Sequence, residues 1–337
     1  MNVLVTGGGG FLGRYIVEQL VARGDRVRSF SRQSYSCLEE LGVESVVGDV
    51  RDATAVAAAC DGMQAVVHTI GIAGIWGPWK KYHGVNTVGT EHVVAACQQH
   101  GVSRLVYSSS PSVTFDGCDQ EGVDESAAYP ERWLCHYPHS KALAEQAVLQ
   151  ADDETGLRTC ALRPHLIWGP RDQHLIPRLL KRAEQGRLRQ VGDGENLIDM
   201  IYVENAARAH LLAIDALAGR APAAGNAYFI SQGEPVNCWD WINEILELAG
   251  LPPVKRKLSR RFAWCIGSLM EAVYWFSRLQ SEPAMTRFLA VQLSTSHYFD
   301  MTRARVDLGY DAQISTAEGM GRLKQFFADQ GPAKMVL

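Results

Sequence analysis

One stretch limits the possible folds of this chain more than any other: Thr6-Gly7-Gly8-Gly9-Gly10-Phe11-Leu12-Gly13, directly after the apolar run Val3-Leu4-Val5. Glycines between a strand and a helix let the main chain turn tightly and approach a pyrophosphate, whose charge then meets the helix N-terminus. Two spacings fit at once. Gly8, Gly10 and Gly13 read as G-x-G-x-x-G, whereas Gly7, Gly10 and Gly13 read as G-x-x-G-x-x-G. Spacing alone therefore leaves the class of dinucleotide-binding turn open. Phe11 and Leu12, in the first turn of the helix, join these glycines as candidate cofactor contacts.

The rest of the first half keeps the same rhythm. A helix over 11–22 gathers Leu12, Tyr15, Ile16 and Leu20 near one face and leaves Arg14, Glu18 and Arg23 for solvent. Short apolar strands are expected at 27–30, 46–47, 65–67, 105–107 and 158–162, with helices at 53–60, 91–99 and 140–150 between them. This alternation predicts an α/β fold: a Rossmann-type, doubly wound parallel sheet covered on both faces. The dinucleotide-binding unit is expected over 1–170, with return segments within 202–232, and a smaller C-terminal substrate-binding domain over 171–337. The glycines of Gly192-Asp193-Gly194 predict a small hairpin.

With a formal net charge of -4, the chain offers no basic surplus that would predict nucleic acid as a partner. None of its eight cysteines forms a C-x-x-C pair, so neither a zinc ribbon nor a thioredoxin-like centre is expected, and no metal. Asn2 to Thr6 already reads as a buried strand, without a charged segment and cleavage site before it; the expectation is a cytoplasmic protein.

The second strand ends at Ser29-Phe30-Ser31-Arg32, where an NAD site usually supplies a carboxylate for the ribose 2′-hydroxyl. Arg32 instead suits a 2′-phosphate, which favours NADP(H) over NAD(H). Further along, Tyr137-Pro138-His139-Ser140-Lys141 puts a phenol and an ammonium four residues apart, on one face of a helix. A nearby positive charge would favour phenolate and bring Tyr137 toward working pH. Upstream, Tyr107-Ser108-Ser109-Ser110 ends a strand at the sheet edge where ligands of such folds bind.

Together these segments, with Gly48-Asp49-Val50, Asn86-Thr87-Val88-Gly89-Thr90 and Arg163-Pro164, resemble the extended short-chain dehydrogenase/reductases across essentially the whole chain. The resemblance implies Ser110, Tyr137 and Lys141 as the catalytic set, with Ser109 the neighbour easily confused with Ser110. It also implies Asp49 and Val50 near the adenine and Pro164-His165 near the nicotinamide. In the implied mechanism Ser110 and Tyr137 hydrogen-bond the substrate oxygen, Tyr137 moves the proton, and Lys141 tunes Tyr137 and holds the cofactor ribose. His68 is read as packing at a strand end.

Within that family, Ser110-Pro111-Ser112-Val113-Thr114-Phe115-Asp116-Gly117 and Gly122-Val123-Asp124-Glu125-Ser126 resemble the branch holding 3β-hydroxysteroid dehydrogenases and bacterial 2-alkyl-3-oxoalkanoate reductases. The implied substrate is an apolar, lipid-like ketone or secondary alcohol. The run 262–279, apolar almost all round and preceded by the basic stretch 255–261, agrees with this. It is read in three ways: a helix in a membrane interface, a wall of an apolar pocket, or a core or subunit-contact helix of a homodimer. Two rival functions share these features. A nucleotide-sugar epimerase or dehydratase would need arginines to grip a diphosphate, with Arg171, Arg178, Arg182 and Arg187 available. A non-catalytic dinucleotide-sensing protein would have no need of Tyr137, Lys141 and Ser110.

Overall fold

Val3, Leu4 and Val5 are all completely buried, as strands covered on both faces require. Val3 and Val5 face one core and Leu4 the other. The computed structural model describes residues 1–332, so the last five residues of the expected second unit lie outside the described residues.

Fifteen strands are formed among the described residues. The first five are β1 (Asn2–Thr6), β2 (Arg26–Ser31), β3 (Glu44–Val47), β4 (Ala65–His68) and β5 (Arg104–Ser108). Then come β6 (Gln120–Val123), β7 (Arg158–Pro164), β8 (Ile167–Trp168), β9 (Gln190–Val191) and β10 (Leu197–Ile198). The last are β11 (Ile201–Tyr202), β12 (Asn226–Ile230), β13 (Val236–Asn237), β14 (Lys257–Leu258) and β15 (His297–Phe299). Seven of them make the main sheet in the order β12-β7-β5-β4-β1-β2-β3, every pair parallel.

The chain starts at β1, winds outward through β2 and β3, then returns to lay β4 on the other side of β1. The order thus reverses between β1 and β4, and ligands of open parallel sheets bind beyond the strand ends at such a point. The helix α1 (Phe11–Ala22) and the Val203–Ala216 helix cover one face through Ile16, Leu20, Ala207 and Ile214. The Ala53–Cys60, Gly89–Gln99 and His136–Gln150 helices cover the other, through Val56, Val93, Ala144 and Val148.

Past β7 a second core forms around Trp168, Ile176, Leu180, Trp239, Trp241 and Ile245. Here the predicted hairpin is corrected. Gly192 and Gly194 do take positive φ (84° and 93°), yet β9 and β10 do not pair. Instead β9 pairs with β14, while β10 lies between β13 and β15. The turn is closed by side chains: Gln190 donates to the Asp193 carbonyl at 2.7 Å and Asn237 to the Gly194 carbonyl at 2.7 Å. The local turn chemistry is right, but more distant strands take both edges.

The 262–279 stretch lies mainly in the Arg260–Phe276 helix, where only Ala263 and Gly267 are buried. The core-helix reading is therefore overturned. No helix among the described residues is long and apolar enough to cross a membrane.

Candidate active site

The glycine turn closes over the end of β1. Gly7 has φ +78°, a region that side-chain-bearing residues rarely adopt. A Cβ on Gly13 would sit 2.1 Å from the Gly7 carbonyl oxygen, so only hydrogen fits where α1 crosses the turn. Gly10 caps α1, its N–H donating to Gly7 O at 2.9 Å, with no side-chain cap and no acidic residue in the first turn. The amide end of α1, Phe11 and Leu12 included, stays available to an anion. Gly8 is crowded as well, a Cβ there lying 2.5 Å from the Ser29 hydroxyl, so both glycine spacings remain compatible with the turn. Gly9 has a role unforeseen in the sequence: the Tyr35 ring lies across it, 2.0 Å from where a Cβ would be.

At the end of β2, Arg32 is exposed and the Ser31 hydroxyl is buried without a partner. Across from them, Asp49 is held at about 2 by its hydrogen bond to Arg51 (2.6 Å), with Arg32 adding a weaker pull. Val50 turns its side chain into the core, in the space a Cβ on Gly89 would need, and its carbonyl accepts from His92 Nδ1 at 3.0 Å. It keeps only main-chain groups for a ligand. Pro164 closes β7 beside Ile230. The adjoining His165 is buried, donates from Nδ1 to the Asp199 carbonyl at 2.7 Å, and is pushed down to about 4 by burial.

Tyr137 and Lys141 occupy the first two turns of the His136–Gln150 helix, Tyr137 half-buried and Lys141 only 4% exposed. Pro138 lacks an N–H and fits a first turn that needs none. Burial raises the Tyr137 phenol above its usual range; a hydrogen bond with the Ser110 side chain acts the other way, and Cys135 adds to the rise. Ser110 is held by its own turn, its hydroxyl 2.9 Å from that of Ser112. Ser109 is buried, with a hydroxyl that meets no partner among the described residues. Of the two serines, Ser110 is the one whose side chain acts on the Tyr137 phenol.

Lys141 is anchored on the end of β5. Its ammonium donates to the Ser108 carbonyl at 2.5 Å and stands 4.2 Å from the centre of the Tyr107 ring. Burial brings Lys141 down to about 7, with Glu145 opposing the drop.

Around this pair lies a set of braces that the sequence did not reveal. Residues His83–Val88 form a π-helical turn, a distortion frequent at functional sites. From it Asn86 accepts from Ile72 N at 2.7 Å and donates to Ile72 O at 3.1 Å and to Ser140 Oγ at 2.9 Å. One side chain so ties the loop after β4 to the helix carrying Tyr137. Thr90 gives its proton to the Asn86 carbonyl (2.6 Å), so His68, 3.0 Å from the Thr90 hydroxyl, donates to it from Nε2. Nδ1 then accepts from Thr6 at 2.6 Å. Burial first, and Lys141 second, hold His68 down at about 3, so it is neutral. The one legible hint was the Asn86-to-Thr90 segment.

Next to the site, Ile75, Phe115, Phe288 and Val291 form a small apolar cluster that Leu134, Cys135 and Trp264 extend. Cys135 lies two residues before Tyr137. The proposed diphosphate grip is dispersed. Arg171 pairs with Glu18 at 2.7 Å and lies over the Tyr15 ring, while Arg178 and Arg182 share Glu282. The Arg187 guanidinium donates to nearby Gln185 at 3.3 Å.

Comparison with known proteins gives the following. A profile described as the 3-beta hydroxysteroid dehydrogenase/isomerase family matches residues 4–260. The chain is 49% identical to a 2-alkyl-3-oxoalkanoate reductase of Stenotrophomonas maltophilia over 96% of its own length and 98% of that protein. A protein of the same name from Shewanella oneidensis is 46% identical, over 96% and 85%. The mouse sterol-4-alpha-carboxylate 3-dehydrogenase, decarboxylating, is 31% identical over 96% and 90%. Among solved structures, MoeE5 in complex with UDP-glucose and NAD superposes with a TM-score of 0.75 at 24% identity, over 98% of this chain and 99% of that one. That likeness establishes the fold.

Proposed function

The chain belongs to the 3-beta hydroxysteroid dehydrogenase/isomerase family, and from that premise we propose an oxidoreductase that interconverts a ketone and a secondary alcohol on a lipid-like substrate. The observation that carries the chemistry is the convergence of the Ser110 side chain on the Tyr137 phenol, four residues before a buried Lys141 on the same helix.

The residues fit a nicotinamide dinucleotide. The close approach that Gly13 permits between α1 and the turn leaves an uncapped helix N-terminus for a pyrophosphate, and the orphaned Ser31 hydroxyl beside Arg32 suits an added acceptor. When bound, the nicotinamide supplies or takes the hydride. Gly7, Gly10, Phe11, Leu12 and Gly13 would hold the pyrophosphate, Asp49 and the Val50 main chain the adenine, and Pro164 the nicotinamide side. Arg32 and Ser31 favour a 2′-phosphate, so NADP(H) is the cofactor we infer.

Tyr137 and Ser110 would grip the substrate oxygen from two sides. Because burial keeps the phenol protonated, Tyr137 is set up to give a proton to an oxygen that gains charge. Lys141, freed from Ser108, would hold the ribose and bring positive charge to the phenol. The apolar cluster around Ile75, Phe115 and Phe288 supports a hydrocarbon-bearing substrate. With relatives at 46–49% identity named for it, a 2-alkyl-3-oxoalkanoate is the substrate class we propose, and 3β-hydroxysteroids the second. The scattered, already paired arginines weigh against a nucleotide sugar.

The test is oxidation of NADPH and NADH against 2-alkyl-3-oxo acids, 3-ketosteroids and nucleotide sugars, with Tyr137→Phe in parallel. NADPH-linked turnover of the oxo acids is expected, lowered on the order of 10²–10⁴-fold in the variant. Activity confined to nucleotide sugars, or a fully active Tyr137→Phe, would overturn the proposal.

A further inference from the structure

The Arg260–Phe276 helix is built inside out. Its inner side is fixed: a Cβ on Gly267 would meet the Thr286 carbonyl carbon at 2.6 Å, and Glu271 accepts from both Arg287 N (2.7 Å) and Arg287 Nε (2.6 Å). Its outer side carries Phe262, Cys265, Leu269, Ala272, Val273 and Phe276, which recur at steps of three and four and share one face. Phe262 is 56% exposed, Leu269 66%, Val273 49% and Phe276 78%, with Trp275 beside them at 70%. Burying such an area in water-soluble form gains nothing until something apolar covers it.

The surrounding charge says what that cover is. Lys255, Arg256, Lys257, Arg260, Arg261 and Arg278 flank the stripe, all exposed, and none forms an ion pair among the described residues. The single carboxylate of the helix, Glu271, is turned inward onto Arg287. This is a concentrated positive patch on a chain whose formal net charge is -4. Apolar and aromatic residues on one face, with cations at its ends, suit a helix lying in the surface of an anionic bilayer.

The same helix reaches the substrate side. Trp264, on its inner side, packs on the apolar cluster next to Tyr137. Near its C-terminal end, Tyr274 meets Trp76 edge to face at 6.0 Å, and Trp76 donates to Leu279 O at 3.1 Å, in the loop that Asn86 braces. We infer that the exposed stripe of this helix seats the protein on an anionic lipid surface, beside the entrance through which a lipid substrate arrives. The inference rests on the lipid-substrate reading for its purpose, though not for its geometry.

The test is flotation of the full chain with phosphatidylcholine vesicles, with and without phosphatidylglycerol. The protein should float with the anionic vesicles and release at high salt. A Leu269→Glu/Phe276→Glu variant should lose binding to both vesicles by at least ~tenfold. A Lys257→Glu/Arg261→Glu variant should lose the preference for phosphatidylglycerol. Both should keep wild-type turnover of a short-chain, soluble 3-oxo substrate, which confirms folding and separates this test from the catalytic one. Wild-type protein left unbound by anionic vesicles would overturn the inference. So would a dimer that Leu269→Glu/Phe276→Glu converts to monomer while vesicle binding persists, since the stripe would then belong to a second copy.

Discussion

At the residue scale, the catalytic group is a matter of who holds which proton. Removing the hydroxyl at position 110 deprives both the phenol and the substrate oxygen of a partner, so Ser110→Ala should lower kcat on the order of 10²-fold and leave cofactor binding intact. Ser109→Ala should do little, because the Ser109 hydroxyl has no hydrogen-bond partner among the described residues; steady-state kinetics on both variants separates the two serines. Lys141 titrates at about 7 before any ligand arrives, so its positive charge is present below that pH and lost above it. For ketone reduction, kcat/KM should be level on the acid side and decline as pH rises through that value. A pH profile of Lys141→Met, far less active, should lack this limb. The placement of Tyr137 and Lys141 on one helix and of the glycines in one turn was legible because each depends on short spacing. The position of the Lys141 ammonium was not, since it follows from a carbonyl contributed by another strand.

Among the elements, the firmest join is between the His136–Gln150 helix and β7. Arg163 and Glu145 meet there at 2.6 Å, both almost wholly buried, and Tyr129 donates to the same carboxylate at 2.7 Å. Glu145→Ala would strand a buried guanidinium and should cost about 3–5 kcal/mol in urea unfolding. Joint replacement of Glu145 and Arg163 by leucine should recover most of that loss, because no charge is then left without a partner. At the other end of the site, Gly13→Ala forces a methyl group against the Gly7 carbonyl and should cost ~1–3 kcal/mol along with cofactor affinity. Strands and helices of the first half were readable from periodicity, since Val3-Leu4-Val5 or the face of α1 names its own environment. Partner choice was not: β9 looks like one arm of a hairpin until β14, far along the chain, takes its edge. The π-helical turn at His83–Val88 leaves no periodic trace either, because its extra residue is fixed by the Asn86 side chain.

For the whole molecule, a ligand that joins the two flanks of the sheet should stabilise it by mass action, by about 2.7 kcal/mol at a hundredfold excess over Kd. Thermal unfolding should therefore rise more with NADPH than with NADH at equal concentration, and Arg32→Glu should reverse that order; equal shifts in the native protein would remove the case for a 2′-phosphate. The order reversal between β1 and β4 has a wider consequence. On the roles proposed above, the groups that would hold the nucleotide end hang from β1, β2 and β3, and those that would move a proton hang from β5 and the helix leading into β7. Coenzyme preference and reaction chemistry would then be written on opposite wings of one molecule, so that selection, natural or in the laboratory, could revise either of them and leave the other standing.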